Sequence, residues 1–249
     1  SQLLNTAAVF GVGFFARPVG AWLMGLYGDR AGRRAAMVVS VNLMCFGSLM
    51  IALCPGQAQI GAAAPAILVF ARILQGASMG GEYGVSATYL AEMAARRNRG
   101  MWSGVFYSTL ILGQLIAMGL LLALSALLSP AEMQAWGWRV PFFVGGGLAM
   151  AVFWLRRGMD ETPSFQQRRG PRTTTMDLLR RHPRESLTVI GLTAGGTLSF
   201  YTYSTYMQKF LVNTSGFSTD QASRIIAGAL VVFTLVQPVI GALSDKVGR

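Results

Sequence analysis

The sequence predicts an all-α membrane protein with seven membrane-spanning helices. Seven apolar stretches are each long enough to cross about 30 Å of hydrocarbon at about 1.5 Å per helical residue. The composition agrees, because 53% of the residues are hydrophobic and only 12% are charged, about half the charged fraction of a typical soluble domain. The predicted spans cover residues 3–27, 35–54, 64–90, 101–128, 140–155, 187–210 and 225–243.

Basic residues lie in every second loop between these spans. Arginines follow the first, third and fifth spans, and Lys246 and Arg249 follow the seventh, whereas residues 55–63 and 129–137 carry only Glu132. Because the cytoplasmic loops of membrane proteins collect Lys and Arg, the basic loops are expected to face the cytoplasm. Topology therefore accounts for the net charge of +11, and nucleic-acid binding is not expected.

A short motif, G-x-x-x-D-[RK]-x-G-R, occurs twice, six spans apart. Such spacing predicts two tandem six-span halves, an organisation found in transporters. The chain is then expected to be a fragment that holds spans two to eight of twelve. Residues 1–157 would form the first half-bundle without its first helix, 158–185 a basic cytoplasmic linker, and 186–249 the start of the second half. The motif residues are Gly25, Asp29, Arg30, Gly32, Arg33 and Arg34 in the first copy, and Gly241, Asp245, Lys246, Gly248 and Arg249 in the second.

The motif residues suit a conformational switch at a helix junction. Its glycines permit a tight turn, and Asp29 can accept hydrogen bonds from the N-terminus of an adjoining helix or pair with an arginine. The basic residues can contact an anionic leaflet. The alternative is a solvated basic loop that only fixes the topology.

Several segments resemble one transporter family. The motif resembles the loop between the second and third helices of the major facilitator superfamily, and residues 201–214 resemble the seventh helix of members that carry α-ketoglutarate. The resemblance implies two six-helix halves around a central cavity, alternating access, and a proton gradient as driving force, with no cofactor. Segments similar to the metabolite:proton symporter branch are residues 15–20, 72–76, 80–84, 138–142 and 160–162.

Arg17, Arg72 and Glu82 stand out as ionisable residues well inside predicted spans. Each costs at least about 2.5–3.5 kcal/mol at mid-membrane, so each is expected to face a cavity or a partner. The two arginines would supply the positive charge that a buried dicarboxylate needs. Alternatively, Arg17 has a structural role. Pro18 permits a kink in the helix, and Arg17 could hydrogen-bond the backbone carbonyl groups that the kink leaves without partners.

The third span carries a polar stripe at helical spacing. Arg72 and Glu82 on it lie about 15 Å apart along the axis and must have separate partners. Glu82 and Asp29 are candidate proton carriers, and the resemblance associates Arg72 with coupling. Alternatively, Glu82 forms a permanent ion pair with an arginine. The stripe consists of Arg72, Gln75, Ser78, Glu82, Ser86 and Tyr89.

Polar side chains on two further spans complete the candidate substrate site. Tyr107 and Gln114 on the fourth span, and Tyr201 and Gln208 on the sixth, can hydrogen-bond carboxylate and keto oxygens. Equally, they can bond neighbouring helices, at about 0.6 kcal/mol per bond. Together with Arg17 and Arg72, they form the predicted substrate-binding set.

These features and the resemblance together imply a monomeric proton symporter in the bacterial inner membrane. The residues permit a dianionic substrate, and the choice of α-ketoglutarate is what the resemblance of residues 201–214 implies. The substrate and the proton are its expected partners, together with the lipid bilayer. Symport of citrate, shikimate, betaine or proline is an alternative, as is a non-transporting membrane scaffold or sensor. No catalytic constellation predicts an enzyme, and the single histidine, His182, lies outside any metal-binding pattern. Cys45 and Cys54 share one span and are expected to be buried thiols.

Overall fold

A computed structural model describes residues 2–167 and 180–248, which are helical apart from short connections and contain no strand. Arg249 and residues 168–179 of the predicted linker lie outside this description. The seven long helices are α1 (Gln2–Ala31), α2 (Arg33–Leu53), α3 (Ala63–Met93), α4 (Arg99–Leu127), α5 (Val140–Arg157), α6 (Pro183–Tyr201) and α7 (Thr219–Val247). Three short helices, Gln57–Ile60, Pro130–Ala135 and Pro163–Gln166, and the 3₁₀ turns Arg96–Asn98 and Gly137–Arg139 connect them.

Every predicted span is helical, and within the described residues five of the long helices are apolar enough to cross a membrane. These are α2, α3, α4, α5 with its preceding turn, and α7 from Gln221 onwards. The sixth predicted span is more polar than these five. In α6, Arg184 and Glu185 occupy the first turn, and glycine and threonine follow.

The sixth predicted span is not one uniform α-helix. After α6, residues Thr202–Tyr206 form a π-helical segment, which leads into a final stretch, Met207–Asn213. A π turn is wider than an α turn and changes the direction of the side chains that follow it. The sequence predicted a helix there and gave no indication of the wider turn.

Two glycines end helices at the two motif copies, as predicted for a tight turn. Gly32, at φ +107°, is the only residue between α1 and α2, and Gly248, at φ +112°, follows α7. Only glycine adopts such angles without strain. Ser218 begins α7 with a capping box in which Gln221 is the partner.

The helices pack in two groups. In one, α3 lies against α1 and α2, and α2 lies against α5, around clusters that contain Met37 and Cys45. In the other, α4 lies against α7 around Ile111, Ile226 and Leu230. Cys45 and Cys54 are buried free thiols, as expected.

Glycines allow the closest approaches within both groups. A Cβ atom at Gly80 of α3 would overlap the carbonyl oxygen of Arg17 in α1. A Cβ atom at Gly241 of α7 would likewise overlap the carbonyl oxygen of Gly100, at the start of α4. Small residues at helix crossings let membrane helices pack backbone to backbone.

Candidate functional site

A small cavity between α1, α2 and α3 brings the two predicted cations together. Its volume is about 170 Å³, and both Arg17 and Arg72 line it. Both groups come from helices whose glycines permit close approach at this level, since Gly13 and Gly76 are also part of the wall. The complete lining is Gly13, Phe14, Arg17, Met44, Arg72, Gln75, Gly76 and Met79.

Arg17 connects this cavity with α6. Its Nη1 donates a hydrogen bond to the Tyr201 hydroxyl at 2.9 Å, and its guanidinium lies 4.1 Å from the centre of the Phe14 ring. The Tyr201 and Phe14 rings also meet edge to face, with centroids 6.0 Å apart. Arg17 and Tyr201 were both predicted in the substrate site, and the structure places them in direct contact.

Arg72 is oriented by a buried chain of hydrogen bonds. Its Nη1 donates to Gln75 Oε1 at 3.1 Å, and Gln75 Nε2 donates to Ser48 Oγ on α2, also at 3.1 Å. Gln75 and Ser48 are 9% and 6% exposed, so neither amide nor hydroxyl has water as an alternative partner. Ser48 is not among the predicted site residues. Its only signal is a hydroxyl inside an apolar span.

The next part of the polar stripe on α3 binds α2 and not the cavity. Ser78 Oγ donates to the Ser40 carbonyl oxygen at 2.7 Å, and Ser40 Oγ donates to the Ser78 carbonyl oxygen at 3.1 Å. Both serines are fully buried. Ser78 of the stripe therefore faces protein, in the contact between α2 and α3.

Glu82 is paired with an arginine from α5. The Arg156 Nη2 atom lies 2.6 Å from Glu82 Oε1, and Arg156 Nη1 donates to the Met37 carbonyl oxygen at 3.2 Å. Ser40 Oγ lies 3.4 Å from the other carboxylate oxygen. Glu82 and Arg72 therefore have separate partners, as their spacing required. Arg156 is the first arginine after the fifth predicted span, so the sequence offered an arginine partner without indicating which one.

Three members of the predicted substrate set lie away from this cavity. The Tyr107 hydroxyl bonds the Tyr83 hydroxyl of α3, and Gln114 lies on an exposed face of α4. Gln208 Nε2 donates to Ser223 Oγ of α7 at 3.0 Å. Gln208 follows Tyr201 by seven residues, which would place both on one face of a regular α-helix. The intervening π segment turns Gln208 towards α7 instead.

The first motif copy holds the start of α2. Asp29 Oδ1 lies 2.7 Å from Arg33 Nη1, which is the predicted pairing with arginine. A carboxylate from beyond α5 binds the helix N-terminus, because Glu161 accepts hydrogen bonds from the backbone N–H of Arg33 at 3.0 Å and of Arg34 at 3.1 Å. Gly25 and Arg30 lie in the last two turns of α1.

The second motif copy binds the start of α4. Asp245 accepts hydrogen bonds from the backbone N–H groups of Gly100 and Met101, each at 2.8 Å. This is the other interaction predicted for the motif carboxylate, in which it binds the N-terminus of an adjoining helix. Lys246 lies exposed in the last turn of α7.

The described residues contain no group of three or more His, Cys, Asp or Glu side chains that could hold a metal ion. The cavity offers two guanidinium groups and the Gln75 amide, and the Tyr201 hydroxyl lies beside it.

Residues 2–186 match the family described as sugar (and other) transporter, and the chain belongs to that family. Its fold is that of the major facilitator superfamily. A double tryptophan mutant of XylE superposes with a TM-score of 0.72 over 96% of this chain and 59% of that chain, at 19% identity. The proton:xylose symporter XylE bound to 6-bromo-6-deoxy-D-glucose superposes with a TM-score of 0.66 over 95% of this chain and 57% of that chain, at 18% identity.

Among curated relatives, the chain is 49% identical to the α-ketoglutarate permease of Escherichia coli K12 over 249 residues, which is 58% of that protein. It is 34% identical to a citrate-proton symporter of Salmonella typhi, covering 58% of it. It is 31% identical to a proline/betaine transporter of Salmonella typhimurium, covering 52% of it. All of this chain is aligned in each case, so it spans between about half and three-fifths of these relatives.

Proposed function

We propose that this protein is a secondary active transporter, not an enzyme, and that it carries α-ketoglutarate with protons into the cell by alternating access. The observation that carries the proposal is the shared cavity of Arg17 and Arg72. Two guanidinium groups, one from α1 and one from α3, would bind the two carboxylates of one substrate molecule. The 49% identical permease supports the choice of α-ketoglutarate.

The charge of the cavity favours a dianion, because two arginine side chains line it. No acidic side chain is found among its described lining residues. Betaine or proline would bring a cationic group as well as a carboxylate, and that cation would meet two arginines without a compensating anion.

Glu82 is the proposed main proton carrier, and Asp29 is the second candidate. A proton on Glu82 would remove the charge that pairs with Arg156, and would thereby link proton uptake to the packing of α5 against α3. The substrate and the proton would each raise the other's affinity by the same factor, since linkage is reciprocal. Proton-coupled relatives such as the citrate-proton symporter support this part of the proposal.

The proposed location is the bacterial inner membrane, where the protein would act as a monomer. The motif copies at Gly32 and Gly248, with their arginines and lysine, would face the cytoplasm. The substrate would then enter from the opposite side and leave between the motif-bearing ends of the helices.

Uptake of labelled α-ketoglutarate by the full-length protein in vesicles tests the proposal directly. With an inward proton gradient imposed, the substrate should accumulate, and citrate, shikimate, succinate and betaine should compete weakly. Arg72→Gln and Arg17→Gln should each weaken substrate binding at least about tenfold, because each leaves one carboxylate unpaired. Arg181→Gln is the matched control and should leave binding unchanged, since Arg181 is exposed at the start of the α6 region.

Stronger competition by citrate or betaine would assign the site to that substrate and leave the transporter class intact. Absence of substrate-dependent proton uptake in folded protein would favour a non-transporting scaffold or sensor.

Replacing Glu82 separates proton coupling from substrate binding. Glu82→Gln should permit exchange of labelled for unlabelled substrate and abolish accumulation driven by the proton gradient. If Glu82 only pairs with Arg156, the charge-swapped variant Glu82→Arg with Arg156→Glu should restore stability and accumulation together. Unchanged accumulation in Glu82→Gln would remove Glu82 from the coupling mechanism.

A further inference from the structure

A second cavity lies outside the substrate site, where the start of α2 meets the end of α5. Its volume is about 440 Å³, and its wall includes the short helix Pro163–Gln166. The lining combines two arginines, one acid and an apolar surface. The lining residues are Ala31, Arg34, Ala35, Val38, Arg157, Glu161 and Phe165.

The cavity has two adjacent cations. Arg34 Nη2 donates a hydrogen bond to the carbonyl oxygen of Arg157, which holds the first arginine beside the backbone of the second. Both arginine residues are exposed. A guanidinium presents several N–H donors in one plane and binds phosphate oxygens two at a time.

Glu161, the one acid among the described lining residues, is already hydrogen-bonded by the protein. Glu161 accepts hydrogen bonds from the backbone N–H groups of Arg33, Arg34 and Thr162, at 3.0, 3.1 and 3.0 Å. Two of these groups belong to the N-terminus of α2, whose dipole offsets part of the negative charge. The cavity as a whole therefore favours an anion that carries about one negative charge.

An apolar surface leads from these arginines along α5. Met150, Trp154 and Arg157 are spaced four and three residues apart, so they share one face of the helix. Trp154 is 64% exposed, and its ring lies 5.6 Å from the Arg157 guanidinium. An exposed tryptophan beside a basic residue at a helix end is typical of the membrane interface, where headgroups meet acyl chains.

We propose that this cavity binds the headgroup of an anionic glycerophospholipid. The lipid phosphate would lie between Arg34 and Arg157, and one acyl chain would follow the face of α5 that carries Trp154 and Met150. Basic cavities between membrane helices recognise anionic headgroups in this way. The proposal does not depend on the transported substrate, because the two cavities share no lining residue.

Binding of lipid to the purified full-length protein in detergent tests this site. Labelled phosphatidylglycerol should bind more tightly than labelled phosphatidylcholine. At about 1 kcal/mol per arginine, Arg157→Gln should weaken phosphatidylglycerol binding about fivefold, and Arg34→Gln with Arg157→Gln about 25-fold. Phosphatidylcholine binding should not change. Arg157→Lys should retain most of the preference, since it keeps the charge.

The matched control removes two arginines that are predicted to lie on the same basic side and that do not line the cavity. Arg181→Gln with Arg184→Gln should leave the preference for phosphatidylglycerol intact, although it lowers the net charge equally. Phosphatidylglycerol with brominated acyl chains shows whether the bound acyl chain lies beside Trp154, because bromine quenches the fluorescence of a nearby indole. It should quench the fluorescence of the native protein more than that of Trp154→Phe.

Two results would overturn the proposal. The first is an equal loss of preference in the control and in the cavity variants, which would show that only the overall charge matters. The second is full competition by inorganic phosphate at millimolar concentration, which would make the cavity a site for free anions. Should the double variant fail to fold, Arg157→Gln alone decides, because the Arg157 carbonyl oxygen that Arg34 binds remains in place.

Discussion

The two motif copies have nearly the same sequence and bind different helices. In the second copy, Asp245 at the end of α7 caps α4, the helix that packs against α7. The capped residues of α4 lie about 145 positions earlier in the chain. In the first copy, Asp29 pairs with Arg33 one turn away, and the cap of the adjoining helix comes from Glu161. Asp29 and Asp245 therefore share only one property, which is that each places a negative charge near the N-terminus of a helix.

The comparison shows that a repeated motif specifies chemistry and leaves the partner to the tertiary structure. Both copies provide a glycine turn, one acid and two or more cations. Which N-terminus comes within reach depends on the helices packed beside each copy. A sequence repeat therefore predicts the kind of interaction more securely than the residue that receives it.

The largest difference between the copies is expected at their glycines. Gly32→Ala should lower the free energy of unfolding by about 3–5 kcal/mol, because the positive φ becomes strained and the new Cβ overlaps Glu161 Oε2. Gly248→Ala should cost only about 1–3 kcal/mol, since its surroundings are open. Chemical unfolding of the purified protein in detergent measures the free energy of unfolding of both variants. Equal losses would contradict the predicted overlap between the new Cβ atom and Glu161.

The second largest effect is expected at Asp245. Asp245→Ala leaves two backbone N–H groups of α4 without their carboxylate and should cost about 2–3 kcal/mol. Asp245→Asn keeps one acceptor oxygen and should lose about half as much. Cysteine labelling at the start of α4 would show whether the helix end opens, and unchanged labelling in Asp245→Ala would contradict the cap.

Glu161→Gln should produce a smaller loss, about 1 kcal/mol, because the amide oxygen can still accept one hydrogen bond while the charge at the N-terminus of α2 disappears. The loss should shrink as salt concentration rises, since screening weakens the charge contribution. Unfolding measured at low and high salt tests this. A loss independent of salt would assign the effect to hydrogen bonding alone.

Asp29→Asn should have the smallest effect, about 0.5 kcal/mol. Its pair with Arg33 is an i, i+4 contact in which Asp29 is 41% exposed, and such pairs contribute little. The double variant with Glu161→Gln should be additive to within about 0.5 kcal/mol, because the two acids bind different groups. Stronger coupling would mean that both acids act on Arg33 as one unit.

The helical periodicity of the sequence predicted much of the part of the candidate substrate site that the first half-bundle provides. The stripe on α3 and the two membrane arginines follow from spacing and from the cost of burying charge, and the structure brings Arg17, Arg72 and Tyr201 together. Arg156 could not be assigned in this way. It belongs to a run of basic residues at a helix end, and composition does not show which of them turns inwards to Glu82.

Gln208 shows a second limit of periodicity. Regular spacing placed it with Tyr201, and a π segment between them changed its direction. Residues 202–206 contain neither glycine nor proline, so no local signal marks the wider turn. Ser48 was missed for a related reason, since its importance comes only from its distance to Gln75.

The packing of α4 against α7 also has a consequence for how the chain is made. The main contact surface of α4, with Gly100 and Gly104, is completed only by α7, which ends about 120 residues later. At about 5–20 residues per second, the ribosome needs about 6–24 s to deliver that partner. During that interval the Gly100 and Gly104 face of α4 would contact lipid in place of α7.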